Sequence, residues 1–485
     1  MHPLIAVAPY LGLIAMAMSA FHLVPVGISL LYGDGAAGVF LRSMAINVVT
    51  GLAMWLVTRR YKSSLNARDG ILMVVLAWAG GAAFATLPLL WLIPGLSFTD
   101  AYFETVSGLT TTGSTVLTGL DALPPSLNIW RGLLVWLGGM GLVVLAVAIL
   151  PLLGVGGRQI MRAETPGPMK DTQLTPRITE TAKGLWVVYA LITVACFIAF
   201  HLAGMSWLAA LMHTFSTMGL GGFSSHDASF GHFDSVAIEA VAIAFMLIAG
   251  INFGSHFLAF RTRSPAPYRR DPEARLFLSV IVGSCIGIAA FLVAAGTYES
   301  FPTALRYAAF NVVSIATTTG FANTDYNQWP VFAPMWMLFL CSFVSCSGST
   351  GGGVKMIRAQ LLAVQVYREF IKLLHPRAVM PLKLHDQVVE NKVVFAVLAF
   401  MFVYVACIVV MTLALMGSGL EPVTAFSAVV ASINNTGPGL NEVGPATTYA
   451  VLTDFQTWVC TFAMLVGRLE LFTLLIVFTP AFWRK

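Results

Sequence analysis

Long apolar stretches separated by short polar segments run through the whole chain. Ten of them are long enough to cross a bilayer, which takes about 20 apolar residues. They lie near residues 4–32, 36–58, 70–95, 127–156, 180–204, 235–260, 274–297, 331–372, 393–417 and 455–482. Apolar runs of this length predict membrane-spanning helices. The first run lacks a basic segment before it and continues past any suitable cleavage site, so we interpret it as a retained helix rather than a signal peptide.

The composition agrees with a membrane protein and excludes other classes. Of the 485 residues, 58% are hydrophobic and 10% charged, whereas soluble domains carry about 25% charged residues. The mean hydropathy is +0.82. The six cysteines lie inside apolar stretches without metal-type spacing, which excludes a secreted disulfide scaffold. The net charge of +5 is spread over separate short loops, so no nucleic-acid partner is expected.

Basic residues gather on one predicted side of the membrane. Most of the 27 lysines and arginines fall within 59–68, 158–183, 261–275 and 355–392 or at the C-terminus. Because cytoplasmic loops are enriched in lysine and arginine, these loops and both termini are predicted to be cytoplasmic. The opposite loops are mainly acidic. They would concentrate cations at an entrance, or they are simply translocated loops that lack basic residues.

Four short glycine-bearing signatures recur at matched places between the predicted spans. Their glycines are Gly113, Gly222, Gly320 and Gly437, and each signature follows a short apolar or amphipathic run. A run of about 11 residues rises only ~16 Å as a helix, about half of the ~30 Å hydrocarbon core. Such a run can enter the membrane and return but cannot cross it. The pattern therefore predicts four helix–pore loop–helix repeats.

The four re-entrant segments are expected to converge on one axis. Irregular backbone at membrane depth is tolerated only where it is buried in protein or lines water. A ring of carbonyls can then replace the hydration shell of a cation, glycine permits the positive φ of the turn, and half-helix C-termini add partial negative charge. The predicted ion-binding filter residues are Thr110, Thr111, Thr112, Gly113, Leu220, Gly221, Gly222, Thr317, Thr318, Thr319, Gly320, Asn434, Asn435, Thr436 and Gly437.

This arrangement resembles the Trk/Ktr/HKT superfamily of potassium transporters, most closely its bacterial Trk membrane subunits. The resemblance rests on residues 110–113, 221–227, 317–321, 348–355, 434–439 and 467–470. It implies an all-α polytopic membrane protein with four pseudo-symmetric helix–pore loop–helix repeats around one ion pore and an extra N-terminal helix pair. It also implies K⁺ uptake across the bacterial cytoplasmic membrane, a homodimer, and a cytosolic nucleotide-binding regulatory subunit of the TrkA type.

The resemblance also implies boundaries and an ion site. The expected units are residues 1–68 for the helix pair and 69–178, 179–271, 272–387 and 388–485 for repeats 1 to 4. K⁺ is expected at Thr111, Thr112, Gly221, Thr318, Thr319, Asn435 and Thr436, with no other cofactor. In the superfamily a serine at the first filter position looks like a mark of sodium preference, so Gly113 favours potassium. The second signature departs from the pattern, because Gly222 has no neighbouring Thr or Asn.

A Ser/Gly-rich segment at 345–353, here called the flap, interrupts the apolar stretch 331–372. Its three successive glycines each disfavour a helix by about 1 kcal/mol relative to alanine. The flap is not a Walker A motif, because no Gly-Lys-Ser/Thr follows. It is either a kink without a functional role or, as its place after the third pore loop and the resemblance favour, a gating loop under the filter. The residues predicted to act in gating are Ser345, Gly348, Gly351, Gly352, Gly353, Lys355 and Arg468.

Arg468 lies inside the last predicted span, where a charge costs at least about 2.5–3.5 kcal/mol on insertion scales. Glu470 is two residues away, on a different helix face, and is not the obvious partner. We hypothesise that Arg468 donates hydrogen bonds to flap carbonyls and holds the flap across the pore. The alternative is a structural arginine that pairs with a distant carboxylate.

Other candidates are weaker. His226, Asp227 and His232 suggest a metal site, although such residues on an outer loop are more often solvated. Arg42 and Arg306 are interpreted as snorkelling or structural. No Ser–His–Asp or paired-carboxylate arrangement stands out, so a membrane enzyme is disfavoured.

The leading functional prediction is K⁺ movement down its electrochemical gradient through one pore per chain. The alternative is a K⁺/H⁺ or K⁺/Na⁺ symporter of the same fold. The basic loops 157–178, 261–275 and 372–392 are the predicted docking surface for the regulatory subunit.

Overall fold

The structure, a computed structural model, describes residues 3–60, 66–141, 178–377, 379–384 and 387–484. The helices are α1 (Pro3–Ser19), α2 (Leu23–Tyr32), α3 (Ala37–Thr58), α4 (Ala67–Ala85), α5 (Leu87–Leu92), α6 (Phe98–Leu109), α7 (Pro125–Gly139), α8 (Ile178–Leu202), α9 (Trp207–Gly219), α10 (Val236–Gly250), α11 (Phe253–Thr262), α12 (Ala266–Arg270), α13 (Pro272–Ala294), α14 (Phe301–Ala316), α15 (Phe332–Phe343), α16 (Met356–Leu374), α17 (Asn391–Gly417), α18 (Pro422–Ile433), α19 (Asp454–Arg468), α20 (Leu471–Leu475) and α21 (Pro480–Trp483).

Shorter elements connect these helices. Single 3₁₀ turns lie at Ala20–His22, Leu120–Ala122, Ser229–His232, Tyr326–Gln328, Asn441–Val443, Tyr449–Val451 and Ile476–Phe478. A small antiparallel hairpin pairs β1 (Lys383–Leu384) with β2 (Gln387–Val388), with Lys383 opposite Val388. The end of the predicted span 127–156 and most of the basic loop 157–178 lie outside the described residues.

The predicted all-α polytopic membrane fold is confirmed. Within the described residues, six helices or continuous helix pairs are long and apolar enough to cross a membrane, and two bent pairs raise the number to eight. The predicted spans 235–260 and 455–482 are each broken into two helices. The first is bent by 93° between α10 and α11, and the second by 117° after α19.

Polar residues explain both breaks. The side chain of Asn252 accepts a hydrogen bond from Gly254 N at 2.7 Å and so starts α11 as a new helix. Glu470 adopts a left-handed φ of 58°, which ends the helical path after Arg468. Its carboxylate pairs with Arg358 at 2.7 Å. Apolar residues flank both positions on either side, so the averaged hydropathy of each stretch does not reveal the breaks.

Four short helices, α6, α9, α14 and α18, are the predicted re-entrant segments. They contain 12, 13, 16 and 12 residues, about 18–24 Å of helix, which is less than the ~30 Å hydrocarbon core. Each begins at a side chain that accepts a hydrogen bond from the first turn: Ser97, Ser206, Ser300 and Glu421. These caps satisfy backbone N–H groups that have no partner within the helix.

The short helices and the helices that follow them close a ring. Going round it, α6 packs on α7, α7 on α9, α9 on α10, α10 on α14, α14 on α15, α15 on α18, α18 on α19, and α19 returns to α6. Each short helix is therefore held between the following helix of its own repeat and that of the preceding repeat. The closed circuit places the four helix C-termini around a common centre.

Ion pairs fasten neighbouring repeats, and the first of them is buried. Arg131 lies 2.8 Å from Glu104, and both side chains are almost completely buried. Glu104 also accepts from Val116 N at 3.1 Å, while Arg131 donates to Ser224 O at 3.0 Å. The pair thus joins α6 and α7 to the segment that follows the second signature.

A second pair has the same bridging role. Arg306 contacts Glu239 and Asp234, each at 2.8 Å, and so links α14 to α10 and to the turn before it. These contacts agree with the structural interpretation of Arg306.

We expect Glu104→Ala to lower the free energy of unfolding by about 3–5 kcal/mol, because it leaves the Arg131 charge buried without its carboxylate. Thermal unfolding of the purified protein in detergent measures the effect. Glu299→Ala, which removes an exposed glutamate from the loop before α14, is the matched control. Equal unfolding temperatures for the two variants would contradict the assigned role of the pair.

Candidate functional site

The four signatures adopt the same backbone conformation at the C-termini of the short helices. One residue in each is left-handed: Thr111 (φ 56°), Leu220 (54°), Thr318 (61°) and Asn435 (54°). The glycine two residues later also has positive φ, at 85°, 63°, 89° and 100° for Gly113, Gly222, Gly320 and Gly437. A left-handed non-glycine residue costs on the order of 1–3 kcal/mol and is most unusual for a β-branched threonine. Its recurrence at one place in all four repeats indicates that the assembled ring imposes it.

The four glycines interlock in a closed cycle. A Cβ atom built on each glycine would meet a carbonyl oxygen of the neighbouring repeat closer than the 3.0 Å limit that real Cβ atoms respect. The pairs are Gly113 with Gly221 O, Gly222 with Thr319 O, Gly320 with Thr436 O, and Gly437 with Thr112 O. Each carbonyl belongs to the residue before the next glycine, so the contacts run from repeat 1 to 4 and back to 1. The structure thus brings the sequence-predicted filter residues of all four repeats to one place.

The four repeats differ in the side-chain hydrogen bonds that support this ring, as the sequence predicts. In repeat 1, Thr110 Oγ1 and Thr112 Oγ1 are 2.8 Å apart, and the corresponding threonines of repeat 3, Thr317 and Thr319, show the same distance. In repeat 4, the Asn435 amide donates to Thr112 Oγ1 at 3.0 Å. Repeat 2 has only Leu220 and glycines here, so no hydroxyl or amide next to Gly222 contributes. Backbone carbonyls are the only oxygens that all four repeats supply at these positions.

The flap lies against the C-terminal ends of three short helices. Thr350 Oγ1 donates to Met218 O at 3.1 Å, in repeat 2. Gly352 N donates to Thr318 Oγ1 at 2.8 Å, in repeat 3. A Cβ on Gly352 would overlap Asn434 O of repeat 4. Without a side chain at Gly352, the flap backbone fits directly beneath the filter.

Arg468 links the flap to repeat 1, the one repeat that the contacts above do not include. Its guanidinium donates to Thr350 O at 2.9 Å, to Gly139 O at 3.1 Å and to Gly138 O. The last two carbonyls belong to the C-terminal end of α7, where helical partners are lacking. The hydrogen bond from Arg468 to the flap is therefore present, and its role in gating stays a prediction.

The other predicted gating residues shape the flap itself. Lys355, which is buried and has a φ of 77°, directs its ammonium back to Gly351 O and to Ser345 Oγ, at 3.3 Å from the latter. A Cβ on Gly353 would come 2.6 Å from Cys341 O, and one on Gly348 would come 2.8 Å from Asn252 Oδ1. Both glycines have positive φ. These close approaches explain the glycine content of the flap.

Glu273 is a residue that the sequence analysis missed. It is buried, and its Oε1 accepts hydrogen bonds from Ser347 N at 2.8 Å and from Ile357 N at 3.0 Å. Ser347 lies near the start of the flap and Ile357 in the first turn of α16, so one carboxylate joins the flap to the helix that follows it. The sequence does contain a signal for Glu273: the residue directly precedes the apolar stretch 274–297, and an ionisable residue at such a place is a functional candidate.

Comparison with known proteins identifies the family. A model of the TrkH family, described as a cation transport protein, matches residues 36–485. The chain belongs to this family. The Trk system potassium uptake protein TrkH of Halomonas elongata is 48% identical over 98% of both proteins, and that of Escherichia coli strain K12 is 43% identical over 99% of both.

A solved TrkH-family structure has the same fold. The crystal structure of the potassium transporter TrkH from Vibrio parahaemolyticus matches with a TM-score of 0.88 and 44% identity over 98% of both chains. The resemblance that the signatures carry is thus confirmed at the level of family and fold.

Gly320→Ala should reduce cation flux in proteoliposomes by about tenfold or more, because the added Cβ would overlap Thr436 O and disfavour the closed ring. A cost of only ~1.4 kcal/mol lowers the population of the intact ring relative to the disrupted one tenfold. Gly419→Ala is the matched control: Gly419 also has positive φ (97°), but nothing lies within 4 Å of its added Cβ. Both variants carry backbone strain and only the first disturbs the ring. Similar losses in the two would contradict the cyclic packing as the cause.

Arg468→Ala and Glu273→Ala should each raise cation flux measured without any partner protein, because each removes hydrogen bonds that hold the flap under the filter. Glu273→Gln, which keeps one acceptor oxygen, should show a smaller rise. Arg468→Lys, which keeps the charge but not the planar fork, separates the hydrogen bonds from the electrostatic effect. Unchanged flux in both alanine variants, at wild-type unfolding temperature, would show that these contacts do not restrain the flap.

Proposed function

We propose that the chain is a K⁺ uptake protein of the bacterial cytoplasmic membrane, with one conducting pore per chain. The observation that carries the proposal is the closed cycle of Gly113, Gly222, Gly320 and Gly437 against carbonyls of adjacent repeats. Such a ring of carbonyls can replace the water around a dehydrating monovalent cation. The names of the relatives, potassium uptake proteins over nearly their full length, agree with K⁺ as the ion.

In this proposal K⁺ contacts Thr111, Thr112, Gly221, Thr318, Thr319, Asn435 and Thr436. The C-termini of α6, α9, α14 and α18 end at these residues, and their aligned peptide dipoles add partial negative charge next to the ion. An inward-negative potential contributes ~2.3 kcal/mol per charge per 100 mV, which drives accumulation without a chemical reaction. The proposed activity is transport and not catalysis.

The flap acts as the gate in this proposal. It occupies the inner side of the filter, and Arg468 ties it to repeat 1 through Thr350 O, Gly138 O and Gly139 O. The positive charges of Arg468 and Lys355 oppose the approach of a cation from that side. Opening requires that Arg468 release Thr350 O or move together with it.

A cytosolic nucleotide-binding subunit of the TrkA type controls the gate, in a homodimeric assembly. We place its docking surface on the loops 157–178, 261–275 and 372–392. In the second loop the arginines are all exposed: Arg261, Arg263, Arg269, Arg270 and Arg275. Asp271 in this loop caps α13 by accepting from Glu273 N and Ala274 N, each at 3.1 Å. Because Glu273 accepts hydrogen bonds from Ser347 in the flap and from Ile357 in α16, movement of this loop can reach the gate over a short distance.

Ion-replacement flux in liposomes tests the transported ion and the coupling. We expect K⁺ and Rb⁺ to pass at similar rates and Na⁺ and Li⁺ at least about tenfold more slowly, as selection by a dehydrating carbonyl ring implies. Collapse of a proton gradient at fixed membrane potential should leave the K⁺ flux unchanged. Gly320→Ala liposomes provide the background. If K⁺ flux stops when the proton or sodium gradient is removed, the chain is a symporter; equal Na⁺ and K⁺ flux would overturn K⁺ selectivity.

A further inference from the structure

Two imidazoles and a carboxylate meet on the far side of the filter from the flap. Asp121 lies in the segment that follows the first signature, and His226 and His232 lie in the segment that follows the second. One ligand atom from each of the three residues falls within 4.8 Å of the other two. His226 Nδ1 already contacts the Asp121 carboxylate. The cluster therefore joins two repeats, and no single stretch of sequence contains it.

The two imidazoles lie close together and parallel. The rings of His226 and His232 stack with centroids 3.5 Å apart and planes 4° apart. Phe233 stands edge-on to both, at 5.3 and 5.2 Å. His226 N also donates to Ser224 Oγ at 3.0 Å, which fixes the backbone beneath the ring.

Neighbouring contacts hold the carboxylate in place. Asp227 accepts from Gly119 N at 2.9 Å and from Leu120 N at 3.1 Å, which fastens the two segments together. Its own N–H donates to Asp121 Oδ2 at 3.3 Å and leaves Oδ1 directed at His226. Asp227 is thus occupied as a support, and Asp121 supplies the ligand oxygen. The sequence pattern suggests Asp227 as the carboxylate beside the two histidines, whereas the structure places Asp121 there.

We propose that Asp121, His226 and His232 form a binding site for a divalent transition metal of the Zn²⁺ class. Two imidazoles and one carboxylate are a common Zn²⁺ set with three protein ligands, and the half-exposed position leaves the fourth place for water. Ligand atoms about 2.1 Å from a tetrahedral Zn²⁺ lie ~3.4 Å apart, whereas the three ligand atoms here lie within 4.8 Å of one another. Metal binding therefore requires the exposed His232 ring to turn out of its stack with His226, so that both imidazole nitrogens point at the ion. K⁺, Mg²⁺ and Ca²⁺ prefer oxygen ligands, so the site is distinct from the filter.

A bound Zn²⁺ would clamp the outer segments of repeats 1 and 2 and add positive charge beside the path to the filter. Both effects slow cation passage from this side. This consequence rests on the proposed transport function, whereas metal binding does not. The two are therefore measured separately.

Binding is measured by titrating Zn²⁺ into the purified, tag-free, full-length protein by calorimetry. We expect one site per chain. His232→Ala and Asp121→Asn should each weaken it by about tenfold or more, since loss of a second-shell partner alone costs about 10–100-fold. His201→Ala, which removes another histidine from the same side without touching the cluster, should bind Zn²⁺ like the wild type. Asp121→Asn keeps the side-chain shape, and unfolding temperatures verify that each variant is folded.

Two results would overturn the site: no Zn²⁺ binding by the wild type, or equal affinity in the wild type, His232→Ala and Asp121→Asn. Rb⁺ flux into liposomes with Zn²⁺ outside then tests the clamp. We expect Zn²⁺ to slow flux in the wild type and His201→Ala and to have little effect in the two ligand variants. Equal inhibition in all four would refute the clamp, and absent flux without Zn²⁺ would instead contradict the proposed function.

Discussion

The structure depends on one backbone contact made four times: a glycine packed against the carbonyl that precedes the glycine of the next repeat. No side chain fits at these four places, and the last contact closes only if the other three are in place. The left-handed residues at 111, 220, 318 and 435 and the ends of the short helices are fixed by the same requirement. The surrounding ring of eight helices supplies the rigidity that holds four strained turns together.

The flap uses the chemical groups that make the centre attractive to a cation. The last carbonyls of a helix have no partner within it and carry partial negative charge. Thr350 donates to one of them at Met218, and Arg468 donates to two others at the end of α7. An arginine and a permeating ion are therefore drawn to the same kind of site. This shared preference gives a physical reason for a charge at a depth where charges are costly.

The helical membrane fold and the meeting of the four glycines could be predicted because repetition is visible in a single sequence. Four glycine signatures between apolar runs indicate both the repeats and their convergence. The bend after α10 was not visible, since Ile251 continues the apolar pattern and the new helix depends on the side chain of Asn252. Glu273 was missed for a related reason: its partners are backbone N–H groups, which any residue supplies, at positions 347 and 357. The grouping of Asp121 with His226 depends on how two repeats are placed, which spacing along the chain does not encode.

The flap lies in the third repeat, and Arg468, which donates to it, comes from the fourth. A channel assembled from four identical subunits would present every inserted segment four times, and four such loops would crowd the space beneath one filter. Fusion of the repeats into one polypeptide removes that restriction. Each repeat can then diverge on its own, so that one carries the flap, another carries the arginine that contacts it, and all four keep the central ring of glycines.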